Sequence, residues 1–273
     1  MGATRKVMKN PFQKSRFYKR NHLKLTRAND LLSLVSGLLL LFFIAGDETY
    51  QAKERRFMIS EIEMTALVTG LHTGLYKVDQ QVLGAMARVP RNDFLDNKYQ
   101  HYAYKNVALP MSGERHIIPE PFLTAMMVHL MGINKYDKVL EVGFGTGYEA
   151  AVLSKLADKV YSIRQENPLK KARSNLIPAN MSIYNNIKTK VANGLNGWAD
   201  AGPFDAILVK QAVLEPPKSL IEQLKPYGRL VVPIENEYGE QRIIVFLKMP
   251  DGTIDKRETL YVKMTRLLPG QDI

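Results

Sequence analysis

Lys138-Val139-Leu140-Glu141-Val142-Gly143-Phe144-Gly145-Thr146-Gly147-Tyr148-Glu149-Ala150-Ala151-Val152-Leu153 decides the fold of this chain. The aliphatic run at its start predicts a strand over 138–142. Its end predicts a helix from Tyr148 to Leu156. Between them glycines stand at alternate positions, 143, 145 and 147. Lacking a Cβ, they let the chain turn tightly and let a ligand come close to the backbone. The following helix aims its free N–H groups and the positive end of its dipole at the same space. Two uses fit such a loop: a tight strand-to-helix connection, or a binding site at the end of the first strand. The Gly-x-Gly-x-Gly spacing differs from the Gly-x-Gly-x-x-Gly pattern of dinucleotide sites.

Working outward, strands and helices alternate. Strands are predicted at 159–163, 187–191, 204–209 and 230–232, with helices at 168–176 and 217–224. Residues 243–248, an Asp251-Gly252 turn and 260–263 read as an antiparallel hairpin. Upstream, 121–131 reads as a buried helix with Pro121 in its first turn, Met126 and Met127 being core-filling. Residues 58–88 read as one amphipathic helix with Ile59, Ile62, Leu67, Leu71, Val82, Leu83 and Met86 inward, stopped by Val89-Pro90. This order predicts an α/β fold: a doubly wound, mostly parallel sheet with a C-terminal antiparallel hairpin.

The composition of the 273 residues, 45% hydrophobic and 24% charged, excludes a wholly disordered chain, a collagen and a multi-span membrane protein. Cysteine is absent, which excludes disulfides, thiolate metal sites and cysteine nucleophiles. The five histidines (His22, His72, His101, His116, His129) show no metal-ligand spacing, so no metal is expected. Net charge is +11, but residues 1–30 hold nine Lys/Arg against Asp30 alone, leaving +3 for the rest. That arm could set membrane topology or lie on anionic lipid, RNA or an acidic protein. The nearly neutral body gives no reason to expect nucleic acid. Sixteen uncharged residues, Leu31 to Gly46, follow. They read as a short membrane anchor, with a buried helix or a signal-like segment as alternatives. The organisation expected is therefore a basic arm (1–30), an apolar anchor helix (31–46), a linker (47–57) and a folded domain (58–273), the protein being membrane-associated through its single N-terminal anchor.

Residues 141–153 (EVGFGTGYEAAVL) resemble the first motif of the protein-L-isoaspartate O-methyltransferase family. Further segments are similar in the same order. They are Val82-Leu83-Gly84-Ala85-Met86 with Val89-Pro90-Arg91 and Phe94, then Ala103-Tyr104 and Ala108-Leu109-Pro110. Phe204–Val209, Pro217, Gln223-Leu224 and Leu230-Val231-Val232-Pro233 complete the set, and coverage runs from about Met58 to Gly270. The resemblance implies a methyltransferase fold and methylation of the α-carboxyl of isoaspartyl residues in damaged proteins. It implies S-adenosylmethionine as donor, with Glu141, Gly143, Gly145, Gly147 and Asn193 toward it. Since the sulfonium is already activated, the protein's task is to align the groups and exclude water.

Three positions depart from the family's pattern. Ile118 stands where the family has a serine hydroxyl for the substrate carboxylate, which leaves Ser112 or His116 as candidate catalytic replacements. Arg164 stands where an acid would hold the ribose hydroxyls, and guanidinium has no acceptor; Glu166 is two residues on. Ala192-Asn193-Gly194 replaces a Gly-Asp-Gly, the Asn193 carbonyl remaining an acceptor. Two functions follow: a membrane-tethered carboxyl methyltransferase acting on protein substrates, or the same fold without turnover as an accessory subunit of a membrane complex.

Overall fold

In a computed structural model, residues 28–110, 117–143, 145–164 and 182–267 are described, 28–49 by their backbone alone. The helices are α1 (Ala28–Thr73), α2 (Gln80–Arg88), α3 (Pro121–Met131), α4 (Tyr148–Ser154) and α5 (Lys218–Glu222). The strands are β1 (Leu109–Pro110), β2 (Ile117–Ile118), β3 (Lys138–Val142), β4 (Lys159–Arg164), β5 (Ile187–Val191), β6 (Phe204–Val209), β7 (Leu224–Glu235), β8 (Gln241–Lys248) and β9 (Ile254–Val262). The chain divides into two units, 1–49 and 50–273. The helix predicted at 168–176 lies outside the described residues.

Seven strands form one sheet in the order β5-β4-β3-β6-β7-β8-β9, with β1 and β2 a separate short hairpin. Pairing is parallel from β5 to β7 and antiparallel for β7–β8 and β8–β9. This is the expected doubly wound sheet with its antiparallel edge. After β3 the chain moves outward through β4 to β5, then returns to lay β6 on the other side of β3. The carboxyl ends of β3 and β6 therefore flank the switch point, where open α/β sheets bind ligands.

Both faces of the sheet are covered, which is why its central strands are apolar without alternation. Val139, Val160, Ala206, Leu208 and Val231 pack into the core that includes α2, α3 and α4. Their neighbours Leu140, Ile163, Ile207, Val209, Leu230 and Val232 face the other way, with Phe204, Leu220 and Leu224. In α3 every residue except His129 is buried, and Met126 and Met127 are core as expected. A helix enclosed on all sides shows no polar stripe.

The single helix expected over 58–88 is two. Gly74 takes φ +70° after α1, and Asp79 caps α2, its carboxylate accepting the Gln81 N–H at 2.7 Å. The break lets Leu75 and Val78 turn inward. In α1 the buried stripe is Met58-Ile62-Ala66, while Leu67 and Leu71, expected inside, are exposed. A Cβ on Gly70 would lie 2.5 Å from the Tyr76 ring and 2.8 Å from its Cα. Gly70→Ala is thus expected to destabilise by ~1–3 kcal/mol despite the better helix propensity of alanine, as urea unfolding would report.

The expected membrane anchor is corrected. Among the described residues no helix is long and apolar enough to cross a membrane. The sixteen uncharged residues at 31–46 rise only ~24 Å against a hydrocarbon core of ~30 Å. Helix α1 continues past them into Asp47, Glu48, Lys53, Glu54, Arg55 and Arg56. The membrane-associated localisation drawn from that anchor falls with it.

Candidate functional site

The loop after β3 is built as the glycine spacing requires. Gly143, Gly145 and Gly147 have φ of +98°, +56° and +90°, all in the left-handed region that a side chain disfavours. The Gly143 N–H donates to the Ile163 carbonyl at 2.9 Å, tying the loop to the end of β4. The Lys210 N–H donates to the Val142 carbonyl at 3.0 Å, tying it to the end of β6. Gly147 then caps α4, whose Ala151 N–H reaches the Gly147 carbonyl at 3.0 Å.

Beneath the loop lies a buried charge cluster. The Lys210 ammonium stands 2.9 Å from Glu141 Oε1 and 2.9 Å from Glu149 Oε2, with all three side chains at most 9% exposed. Ser162 Oγ donates to Glu141 Oε2, and Thr124 Oγ1 donates to Glu149 Oε1 at 3.3 Å. Burial pushes the Glu141 carboxyl above its ordinary range, only partly opposed by Lys210. Burial acts likewise on Glu149, but the charge and hydrogen bond of Lys210 together outweigh it and hold that carboxyl low. For Lys210, burial pulls downward and the two carboxylates prevail, holding the ammonium well above its ordinary value.

Of the residues expected to face a cofactor, the structure brings Glu141, Gly143, Gly145 and Gly147 together at the switch point. Glu141 is fully buried and engaged with Ser162 and Lys210. Asn193 follows β5, and its Oδ1 accepts the Leu195 N–H at 3.0 Å within its own turn. Ser112 and His116 lie outside the described residues, as does Glu166. Ile118 is buried and pairs with Leu109 in the β1–β2 ladder. Nearby, a cleft of about 420 Å³ opens between the start of α3 and the end of β9, lined by Ile117, Pro119, Glu120, Leu260 and Met264 among others. His129 is half-buried, its Nδ1 accepting the Asp79 N–H at 3.2 Å, a structural role.

The loop suits a nucleoside cofactor: Gly143, Gly145 and Gly147 carry no side chain, and the buried Thr146 Oγ1 within it has no hydrogen-bond partner. Among the described residues the end of β4 offers no ribose acid: Arg164 stands there, its Nη2 donating to the Gly145 carbonyl at 3.2 Å. Sequence reasoning missed Lys210 and Glu149. A lysine ending the apolar strand Phe204–Val209 beside a switch point has to be paired where it lies, and Glu149, in the first turn of α4, is within reach of it.

Known proteins resemble this chain over most of its length. The sequence profile of the family "Protein-L-isoaspartate(D-aspartate) O-methyltransferase (PCMT)" matches residues 62–268. Protein-L-isoaspartate O-methyltransferase 1 of Cupriavidus necator is 36% identical over 217 residues, covering 80% of this chain and 83% of that protein. The namesake from Nitrosospira multiformis is 38% identical over 189 residues, covering 69% and 79%. A solved protein-L-isoaspartate O-methyltransferase superimposes with a TM-score of 0.65 at 24% identity, covering 80% of this chain and 66% of that one. A putative Plasmodium falciparum relative, solved with S-adenosyl-L-homocysteine, gives 0.57 at 22%, covering 70% and 91%. These two structures speak to the fold, and the sequence relatives to descent. Glycine loop, strand order and matched length together place the chain in the protein-L-isoaspartate(D-aspartate) O-methyltransferase family, whose methyl donor is S-adenosylmethionine.

Proposed function

We propose that this chain uses S-adenosylmethionine to methylate the α-carboxyl of isoaspartyl residues in protein substrates. The observation that carries the reading is the left-handed Gly143-x-Gly145-x-Gly147 loop at the switch point, with the Thr146 hydroxyl buried and unpartnered inside it. When bound, the donor supplies a methyl group already activated on a sulfonium, so a carboxylate can attack without a general base. The protein's contribution is to bind, orient and keep water out. Gly143, Gly145 and Gly147 would hold the cofactor by backbone approach, and Thr146 would donate or accept one further hydrogen bond. Since Ile118 cannot donate, Ser112 and His116 are the groups assigned to the substrate carboxylate. An accessory protein without turnover is the second reading. It is favoured by Arg164, a donor where a ribose acceptor is required, already engaged with the Gly145 carbonyl.

Calorimetric titration with S-adenosylhomocysteine and a methyl-transfer assay on paired isoaspartyl and aspartyl peptides test both. Micromolar binding and transfer to the isoaspartyl peptide alone are expected. Gly145→Val should weaken binding ~100-fold or more, because a branched residue resists φ +56° and its Cβ would lie 3.3 Å from Lys210 Nζ. Absent binding and absent transfer by the unaltered chain would leave the accessory reading.

A further inference from the structure

Glu141 and Glu149 reach the same point from different elements, one from near the end of β3 and one from the first turn of α4. Both are fully enclosed by protein, and isolated carboxylates in such surroundings are costly unless a cation meets them. The cation that meets them is Lys210, whose ammonium lies 2.9 Å from an oxygen of each. Two neutral donors also hold the pair, Ser162 Oγ on Glu141 and Thr124 Oγ1 on Glu149, and the buried Arg91 guanidinium adds its charge on the Glu149 side. Two carboxylates converging on one –NH3⁺, each steadied by a hydroxyl that donates to it, make a receptor for a primary ammonium, and a tethered one occupies it.

Its position is next to the glycine loop. A Cβ on Gly145 would lie 3.3 Å from Lys210 Nζ, and one on Gly143 would lie 3.5 Å from Lys210 Cβ. The lysine thus runs along the loop surface that a ligand has to use. Its fit to the receptor is imperfect: Glu141 Oε1, wholly buried, receives no hydrogen bond of good geometry although the ammonium is within ion-pair distance. An ammonium free of the strand backbone could satisfy that oxygen, and S-adenosylmethionine carries one at its aminoacyl end.

We infer that Glu141 and Glu149 form a buried ammonium site, that Lys210 is its tethered occupant, and that the aminoacyl ammonium of the cofactor competes with Lys210 for it. The last clause rests on the reading of the loop as the cofactor site. The first two stand without it. Lys210 is then a residue that sets cofactor affinity from within the chain, and binding requires its displacement.

The full-length chain and its Lys210→Ala variant separate these clauses. Thermal unfolding with n-propylammonium chloride, against sodium chloride at equal ionic strength, probes the vacated site with an ammonium alone. A saturable rise in Tm is expected for Lys210→Ala, none for the unaltered chain, and none for Lys210→Ala combined with Glu149→Gln. A folded Lys210→Ala variant that propylammonium fails to stabilise would overturn the ammonium site. Titration with S-adenosylhomocysteine and with 5′-methylthioadenosine, which lacks the ammonium-bearing end, probes the competition. Lys210→Ala is expected to tighten S-adenosylhomocysteine ~10-fold and leave 5′-methylthioadenosine unchanged. Equal effects on both nucleosides would overturn the competition. Should Lys210→Ala fail to fold, Lys210→Met keeps the bulk, removes the charge and decides through the same two titrations. If no protein binds either nucleoside, the cofactor reading fails, while the propylammonium measurement still decides the site.

Discussion

Arg91→Leu is expected to cost the fold about 4 kcal/mol, a large share of the 5–15 kcal/mol that holds an ordinary domain together. Arg91 is wholly buried. Its Nη1 donates to the Ala103 carbonyl at 2.6 Å and its Nη2 to the Pro119 carbonyl at 2.8 Å. The guanidinium also lies 5.8 Å from the centre of the Tyr148 ring. Burial pulls its pKa down, but guanidinium stays charged at any ordinary pH. The fork joins three separate stretches: the turn after α2, the segment before β1, and the residue two before α3. Leucine would leave both carbonyls enclosed without donors, each costing ~1–3 kcal/mol, and would not fill the volume vacated. Arg91→Lys should recover little, since a single ammonium lacks the planar fork that reaches both oxygens. Urea unfolding decides it: a loss below ~1 kcal/mol for Arg91→Leu would mean water or repacking satisfies those carbonyls.

Glu149→Gln should cost ~3 kcal/mol at pH 7, because it removes one of the two carboxylates that face the buried Lys210 ammonium. Glu149 is held below its ordinary value, so its contribution to stability is present above ~4.3, the unfolded value, and is lost as pH falls through the folded one. Glu141 is held above its ordinary value by burial, so its contribution is full below the unfolded value and is lost as pH rises through the folded one. At neutral pH the fold gains from the Glu149 charge. The gap between the unaltered chain and Glu149→Gln should therefore narrow on acidification. Chemical denaturation of the unaltered chain and of Glu149→Gln at pH 7 and pH 4 measures this, and a gap that stays constant would show that the Glu149 carboxyl is not held low.

Much of the site is legible in the residue order. The alternate glycines of 143–147 demand positive φ, and all three adopt it. The apolar runs at 138–142 and 204–209 have to be interior parallel strands, and their pairing puts the loop at a switch point. Departures are legible as chemistry too: an arginine at 164 cannot accept a ribose hydroxyl wherever it lies. Other features escape because they depend on distance through space. Lys210 and Glu149 are sixty-one residues apart and their contact exists only once β6 lies beside β3. The break at Gly74 is hidden because amphipathic periodicity resumes after it, and the exposed Leu67 and Leu71 look as apolar in sequence as the buried Ile62.

By itself, then, the amino-acid order determined the layers, the strand sequence and the ligand-facing backbone, because these rest on local preference and on which residues must leave water. Tertiary structure alone decided which charge faces which, since Glu141, Glu149 and Lys210 acquire their partners and their opposed proton affinities only from enclosure. Enclosure removes the solvent that would otherwise make each of them an independent ion.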